Sequence, residues 1–199
     1  SGKTCGAWCW KATGGTTASN GSVSITTTVQ ANTKGGFSIM TYTGTGSNAT
    51  IGHGLSAKPD FILTKRRNSL QTWGVYHSAL GATKYLALNS NAAAGTDSTF
   101  WQDTEPTTSV ISLGTEGRVN QNTGTYVAYA WHSVEGYSKF GTYTGDATTD
   151  GSLSVTTGFA PAFLMVKRTD STGGWVMVDN TRNPSNPINK YSQANTNDV

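Results

Sequence analysis

The chain has 199 residues with a net charge of +3, and only 13% of them are charged. That length buries one large core or two small ones. The charged share, about half the usual one, excludes the concentrated basic face of a nucleic-acid binder, while the supply of β-branched and aromatic residues excludes a disordered chain.

Thr, Val, Tyr and Trp suit a pleated, half-buried surface, and the 24 glycines with many Asn and Ser residues suit tight turns. The composition therefore predicts an all-β fold of short antiparallel strands, in sandwich or jelly-roll-like units. No window keeps a 3.6-residue apolar period, so at most one short helical turn is expected, in "HSALGATKYLAL". No apolar run is long enough to cross a membrane, so no membrane insertion is expected.

The first element is "TCGAWCWK", Thr4–Lys11, read as a strand. Its two cysteines, Cys5 and Cys9, would share one strand face about 13 Å apart. A disulfide needs Cα atoms within about 7 Å, so two free, buried thiols are expected. A Gly/Thr/Ser-rich connector follows to Gly35, which makes 1–35 a strand plus linker.

At Gly36 the chain enters "GFSIMTYTG", and a hundred residues later it writes "GYSKFGTYTG". Between these come "KPDFILTKRRNSLQTWGVYH" and, 102 residues on, "APAFLMVKRTDSTGGWVMVD". Each reads as a strand, a polar turn and a second strand carrying Trp73 or Trp175. "TKYLALNSN" resembles "NKYSQANTN", and "TYVAYAWH" (Thr125–His132) parallels the N-terminal "TCGAWCWK" at an offset of 121. Self-similarity of this kind marks a tandem repeat.

The repeat predicts a complete β unit over 36–135 and a partial one over 136–199, which lacks any counterpart of Phe100–Trp131. Two explanations stand side by side. Either the chain is an ordered fragment of a longer repeat protein, or another strand completes the second unit, the N-terminal "TCGAWCWK" of the same chain or of a neighbour. An uncovered sheet edge is an aggregation hazard, so something is expected to cover it.

Chemistry is sparse. There is no G-x-S-x-G elbow, and "SGKT" holds only the tail of a phosphate loop. Asp103 and Glu105 sit in a polar loop before Pro106, and Asp146 and Asp150 lack calcium-loop spacing. His53, His77 and His132 are scattered without ligand spacing. The expectation is no catalytic residues, no metal and no cofactor. Lys65, Arg66 and Arg67 read as a strand end meeting solvent, and His53 as a residue that fixes its turn. Recurring aromatics (Tyr42 with Tyr143, Trp73 with Trp175, Trp10 with Trp131) read as core positions. The non-repeating Trp101, Tyr76 and His77 are the candidate ligand-binding residues.

The segments "GFSIMTYTGTGSNATIGHGL", "TYVAYAWHSVEGYSKFGTYTG" and "GFAPAFLMVKRTDSTGGW" resemble a repeat family of virion structural and tail-fibre-like proteins of tailed, notably marine, bacteriophages. The resemblance runs from Thr4 to about Asn197. It implies a non-enzymatic structural or adhesive part of a virion, assembled in the host cytoplasm and displayed outside it. The implied partners are other virion proteins and further copies of the chain, with host-surface glycans as ligands in the alternative reading of a lectin-like module. The loops expected to meet a receptor are 44–58, 89–108 and 145–158.

Overall fold

A computed structural model of the chain describes residues 7–12, 18–20, 23–147, 152–185 and 189–196. Its strands, in chain order, are β1 (Ala18–Asn20), β2 (Thr27–Asn32), β3 (Phe37–Thr43), β4 (Ala49–Gly52), β5 (Phe61–Arg66), β6 (Gly74–His77), β7 (Lys84–Ala87) and β8 (Gly95–Thr96). Then come α1 (Ser98–Trp101), β9 (Val110–Leu113), α2 (Gly117–Asn120), β10 (Thr125–Trp131), β11 (Phe163–Lys167), β12 (Trp175–Asp179) and β13 (Ser192–Gln193). The protein is nearly all-β, and every pairing between named strands is antiparallel. The helices are single turns of four residues, each started by an acidic cap: Asp97 accepts from the Thr99 N–H, and Glu116 from the Arg118 N–H.

The main sheet has eight strands in the order β1-β2-β3-β10-β5-β6-β7-β8. Its spine is β10, which slots between β3 and β5: Tyr126 lies opposite Tyr42, and Trp131 opposite both Phe37 and Phe61. The alternation in "TYVAYAW" sends Tyr126, Ala128 and Ala130 to one face and Tyr129 and Trp131 to the other.

Both faces are covered, which gives the molecule its sandwich-like layering. On the first face Met40, Tyr42, Ile62, Tyr76 and Tyr126 meet the small β4–β9 sheet and the buried Phe100, Trp101 and Val119. Two tyrosines tie this layer together. Tyr42 and Tyr126 stack at 4.9 Å, and their hydroxyls donate to the Val119 and Gly117 carbonyls at 2.7 and 2.6 Å. Burial pushes the Tyr42 phenol well above its ordinary pKa, with the Tyr126 phenol adding to the rise, so it stays a donor.

The second face is aromatic: Phe37, Phe61, Leu63, Val75, Leu86 and Trp131. Trp175 and Met165, from a three-stranded sheet β11-β12-β13, pack on it. The Trp175 indole N–H donates to the Ala87 carbonyl at 2.9 Å, and two backbone bonds, Ala94 N–H to Thr169 O and Gly173 N–H to Asn91 O, join the layers beside it.

The two hairpins share a register. In β5–β6 Phe61 pairs with His77 and Leu63 with Val75, and in β11–β12 Phe163 pairs with Asp179 and Met165 with Met177, each 102 positions further on. The Trp73 N–H donates to Asn89 Oδ1 at 3.0 Å, and the Trp175 N–H donates to Asn195 Oδ1 at 2.7 Å. Arg66 Nε bonds Asn68, and Arg168 Nε bonds Asp170.

Elsewhere the matching segments differ in structure. Residues 139–147, which carry the same "TYTG" run that ends β3, form no strand, and Tyr143 is exposed where Tyr42 is buried. The expected N-terminal strand is likewise absent from residues 7–12, while Thr4 and Cys5 lie outside the described residues. Cys9 is a free thiol but exposed, not buried, and Trp10 is 41% exposed, so neither is the core residue expected. The physical reason is common to all: neither segment is joined to a described strand by a backbone ladder, even where its side chains touch one, and without a ladder its backbone groups are left to water.

Two positions set backbone limits. Gly36 has φ +63°, and a Cβ there would lie 2.7 Å from the His132 carbonyl oxygen, so only glycine lets β3 start beside β10. Asn120 is fully buried and clamps three segments: its amide donates to the Ser47 and Gly114 carbonyls, and its oxygen accepts from the Thr45 N–H. Asn120→Ala is expected to lower the unfolding free energy by about 2 kcal/mol in urea denaturation, because it strands these partners. Asn120→Asp is expected to destabilise as well, since a carboxylate offers no donor to two carbonyls.

Candidate binding surface

Tyr76 and Trp101 come together, and His77 does not join them. Tyr76 and His77 are consecutive in β6 and so point to opposite faces of the sheet. Tyr76 is fully buried on the first face, with its ring edge-on to Trp101 at 5.9 Å. Trp101 is also buried, in α1, and both contribute area to the core. His77 is half-buried on the aromatic face, edge-on to Phe61 at 6.0 Å, and its Nδ1 accepts from the Ala79 N–H. Burial lowers the His77 pKa, against an opposing pull from Asp60.

The polar group over Tyr76 is Glu105. Its Oε2 accepts from the Tyr76 hydroxyl at 2.6 Å and from Lys58 Nζ at 2.7 Å, and its Oε1 accepts from the Ala82 N–H at 2.7 Å. Burial alone would raise this carboxyl, but the Lys58, Tyr76 and Ala82 donors outweigh it and hold it below the ordinary range. The cluster joins the loops 44–58 and 89–108, and Gln102 adds bonds to the Ala49 and Leu113 carbonyls. Lys58 was visible in the sequence only as a loop lysine; nothing local announced its carboxylate 47 residues away. Asp103 stands apart, exposed, with a left-handed φ of 48° after α1, so it forms no carboxylate pair on a strand.

His53 is the fully buried histidine of the β4 end. Its Nδ1 accepts from the Leu55 N–H at 3.2 Å, which leaves Nε2–H to donate to the Thr107 carbonyl at 3.3 Å. The ring is therefore neutral, and burial takes its pKa down to about 4. It joins the 53–55 turn to the 107–109 turn, with the His53 N–H bonded to Ser109 O.

Among the described residues no three His, Cys, Asp or Glu side chains gather as metal ligands. No described helix is long and apolar enough to cross a membrane. Open grooves occur on the surface of the described residues. One, of about 400 Å³, runs along β2 and β3 and is lined by Thr26, Thr28, Thr41, Thr43 and Arg67 among others. Another, of about 380 Å³, lies between Ser133–Phe140 and Thr157–Gly158. The threonine groove offers hydroxyls and one guanidinium, a set suited to hydrogen-bonding a polyol.

The model of the family described as Domain of unknown function (DUF7483) matches residues 1–199, and the chain belongs to that family. No curated protein and no solved structure matches it.

Proposed function

We propose that this member of the DUF7483 family is a non-enzymatic structural and adhesive component of a bacteriophage virion, a tail fibre or a capsid or tail decoration. It is built on this reading from tandem copies of one pleated unit and presents connecting loops to other surfaces. The observation that carries the reading is the shared register of the two hairpins at a step of 102 residues, with the same asparagine bond beneath Trp73 and Trp175. Copies of one unit suit a display scaffold, because weak loop sites repeated in an array bind through effective concentration. The resemblance of the segments around "GFSIMTYTG" and "GYSKFGTYTG" to a repeat family of virion proteins supports this reading, and the partners proposed with it are other virion proteins and copies of the chain itself.

The test is the particle. Antibody-gold labelling of purified phage whose genome encodes the chain, with mass spectrometry of the same particles, is expected to find it at a fixed copy number. Its absence from the particle ends the proposal.

A second reading, a carbohydrate-binding module for host-surface glycans, is favoured by the threonine groove alone. On that reading a glycan array finds a ligand for the wild-type chain, and Arg67→Ala weakens it at least about ten-fold, the loss of one charge-assisted hydrogen bond. An array without any bound glycan removes this reading and leaves the first in place.

A further inference from the structure

The two hairpins differ at one edge. The outer edge of β5 is covered by β10, with Trp131 opposite Phe61, Ala130 opposite Ile62 and Tyr129 opposite Leu63. Among the described residues, β11 ends its sheet with no strand beyond it. Leu164, at the position matching Ile62, is 49% exposed there.

Two tryptophans nevertheless sit against that edge. Trp8 and Trp10 place their rings 5.3 and 5.9 Å from Phe163. The second spacing reproduces the 5.8 Å between Trp131 and Phe61. The sequences agree as well: "AWCW" at 7–10 follows the pattern of "AYAW" at 128–131. Further contacts hold the segment in place. Trp10 meets Trp131 edge-on at 5.8 Å, the Asn32 amide donates to the Lys11 carbonyl at 3.0 Å, and the Arg182 guanidinium lies 5.4 Å over Trp8.

We propose that Ala7–Trp10 is the strand that completes the β11–β13 sheet of its own chain. It adds to the β11 edge antiparallel, as β10 adds to β5, with Trp10 opposite Phe163, Cys9 opposite Leu164 and Trp8 opposite Met165. This register sends Trp8 and Trp10 into the aromatic layer shared by the two sheets. It sends Cys9 to the outer face beside Leu164, in keeping with the exposure of both side chains. The strand comes from the same chain because the contacts that seat it, to Phe163, Trp131 and Asn32, are already made within one chain. The inference rests on the two-copy reading proposed above, and its failure would leave the particle-labelling result untouched.

Cys9 makes the register testable in the full chain carrying Cys5→Ser. Residues directly opposed in an antiparallel pair have Cα atoms about 4.5–5.5 Å apart, inside the disulfide range, whereas diagonal neighbours lie about 7–8 Å apart, at or beyond its limit. Under mild oxidation, Leu164→Cys is expected to form an intrachain bond to Cys9 at least about ten-fold faster than Val166→Cys. In the wild-type chain the β11 amides not bonded to β12 are expected to exchange at least about 100-fold slower than in an unfolded chain. Equal rates for the two variants, no cross-link, or unprotected β11 amides would overturn the pairing. A disulfide-linked dimer would overturn its assignment to the same chain. The amide measurement needs no substitution, so it decides the matter even if a cysteine variant fails to fold.

Discussion

Trp175→Ala is expected to lower the unfolding free energy by about 3–5 kcal/mol, the cost of deleting a large aromatic side chain from a packed core. Trp175 is 3% exposed and lies between the two sheets, 6.4 Å from Phe61, with its indole N–H on the Ala87 carbonyl. Its loss opens a cavity against Phe61, Val75 and Leu86 and removes a bond that crosses the interface. Urea denaturation followed by tryptophan fluorescence and by far-ultraviolet dichroism checks it. Separation of the two curves would show the β11–β13 sheet leaving before the main sheet unfolds. Trp73→Ala, the matching change at a half-buried position stacked on Tyr129, is expected to cost less than half as much. Equal losses in the two variants would refute the role given to Trp175 as the bolt between layers.

Stability is expected to fall as pH drops from about 6.5 to about 4, and His53 is the main named cause. Its folded pKa is depressed by burial while its unfolded value stays near 6.5, so inside this window the unfolded chain binds a proton that the folded chain refuses. Above the window the residue contributes no pH dependence, and below it the penalty is complete at about 3 kcal/mol. His77, also lowered by burial, acts in the same direction. Glu105 and Asp97, whose pKa values are held low in the fold, withdraw further stability as they protonate in stronger acid. The clean measurement is therefore a difference. His53→Gln is expected to be less stable than wild type at pH 7.5, through its lost fit to Leu55 N–H and Thr107 O, yet to show a flatter profile between pH 6.5 and 4. Parallel profiles for the two proteins would remove His53 as the cause.

The sequence announced those parts of the fold whose causes are local. The strand–turn–strand pattern around Lys65–Arg67 is a hairpin because Asn68 and Ser69 supply its turn and period-2 alternation supplies its faces. The alternation in Thr125–Trp131 likewise reads as a strand, and β10 runs there. The place of β10 was not legible, because pairing with β3 and β5 joins residues some 60 to 90 positions apart and leaves no mark on neighbouring residues. The same holds for the surface. Tyr76 and Trp101 stood out as aromatics without a counterpart, but burial is decided by what covers them, here β4, β9 and the Glu105 loop. The pair Tyr42 and Tyr143 makes the point most sharply: the same "TYTG" run gives a buried strand residue where β2 and β10 flank it, and an exposed one where no described strand does. The short helices were missed because one turn cannot show a 3.6-residue period, although Asp97 before "STFW" is an ordinary helix-starting signal.

The central place of β10 bears on how the protein is made. β3 and β5 leave the ribosome tens of residues ahead of Thr125–Trp131, the segment that must slide between them. Until it arrives, nascent chains on one message carry matching open edges at close quarters, and mispairing between neighbours competes with correct closure. Weaker translation initiation, which spaces the nascent chains apart, is therefore expected to raise the soluble yield, and a translation pause placed before Thr125 to lower it.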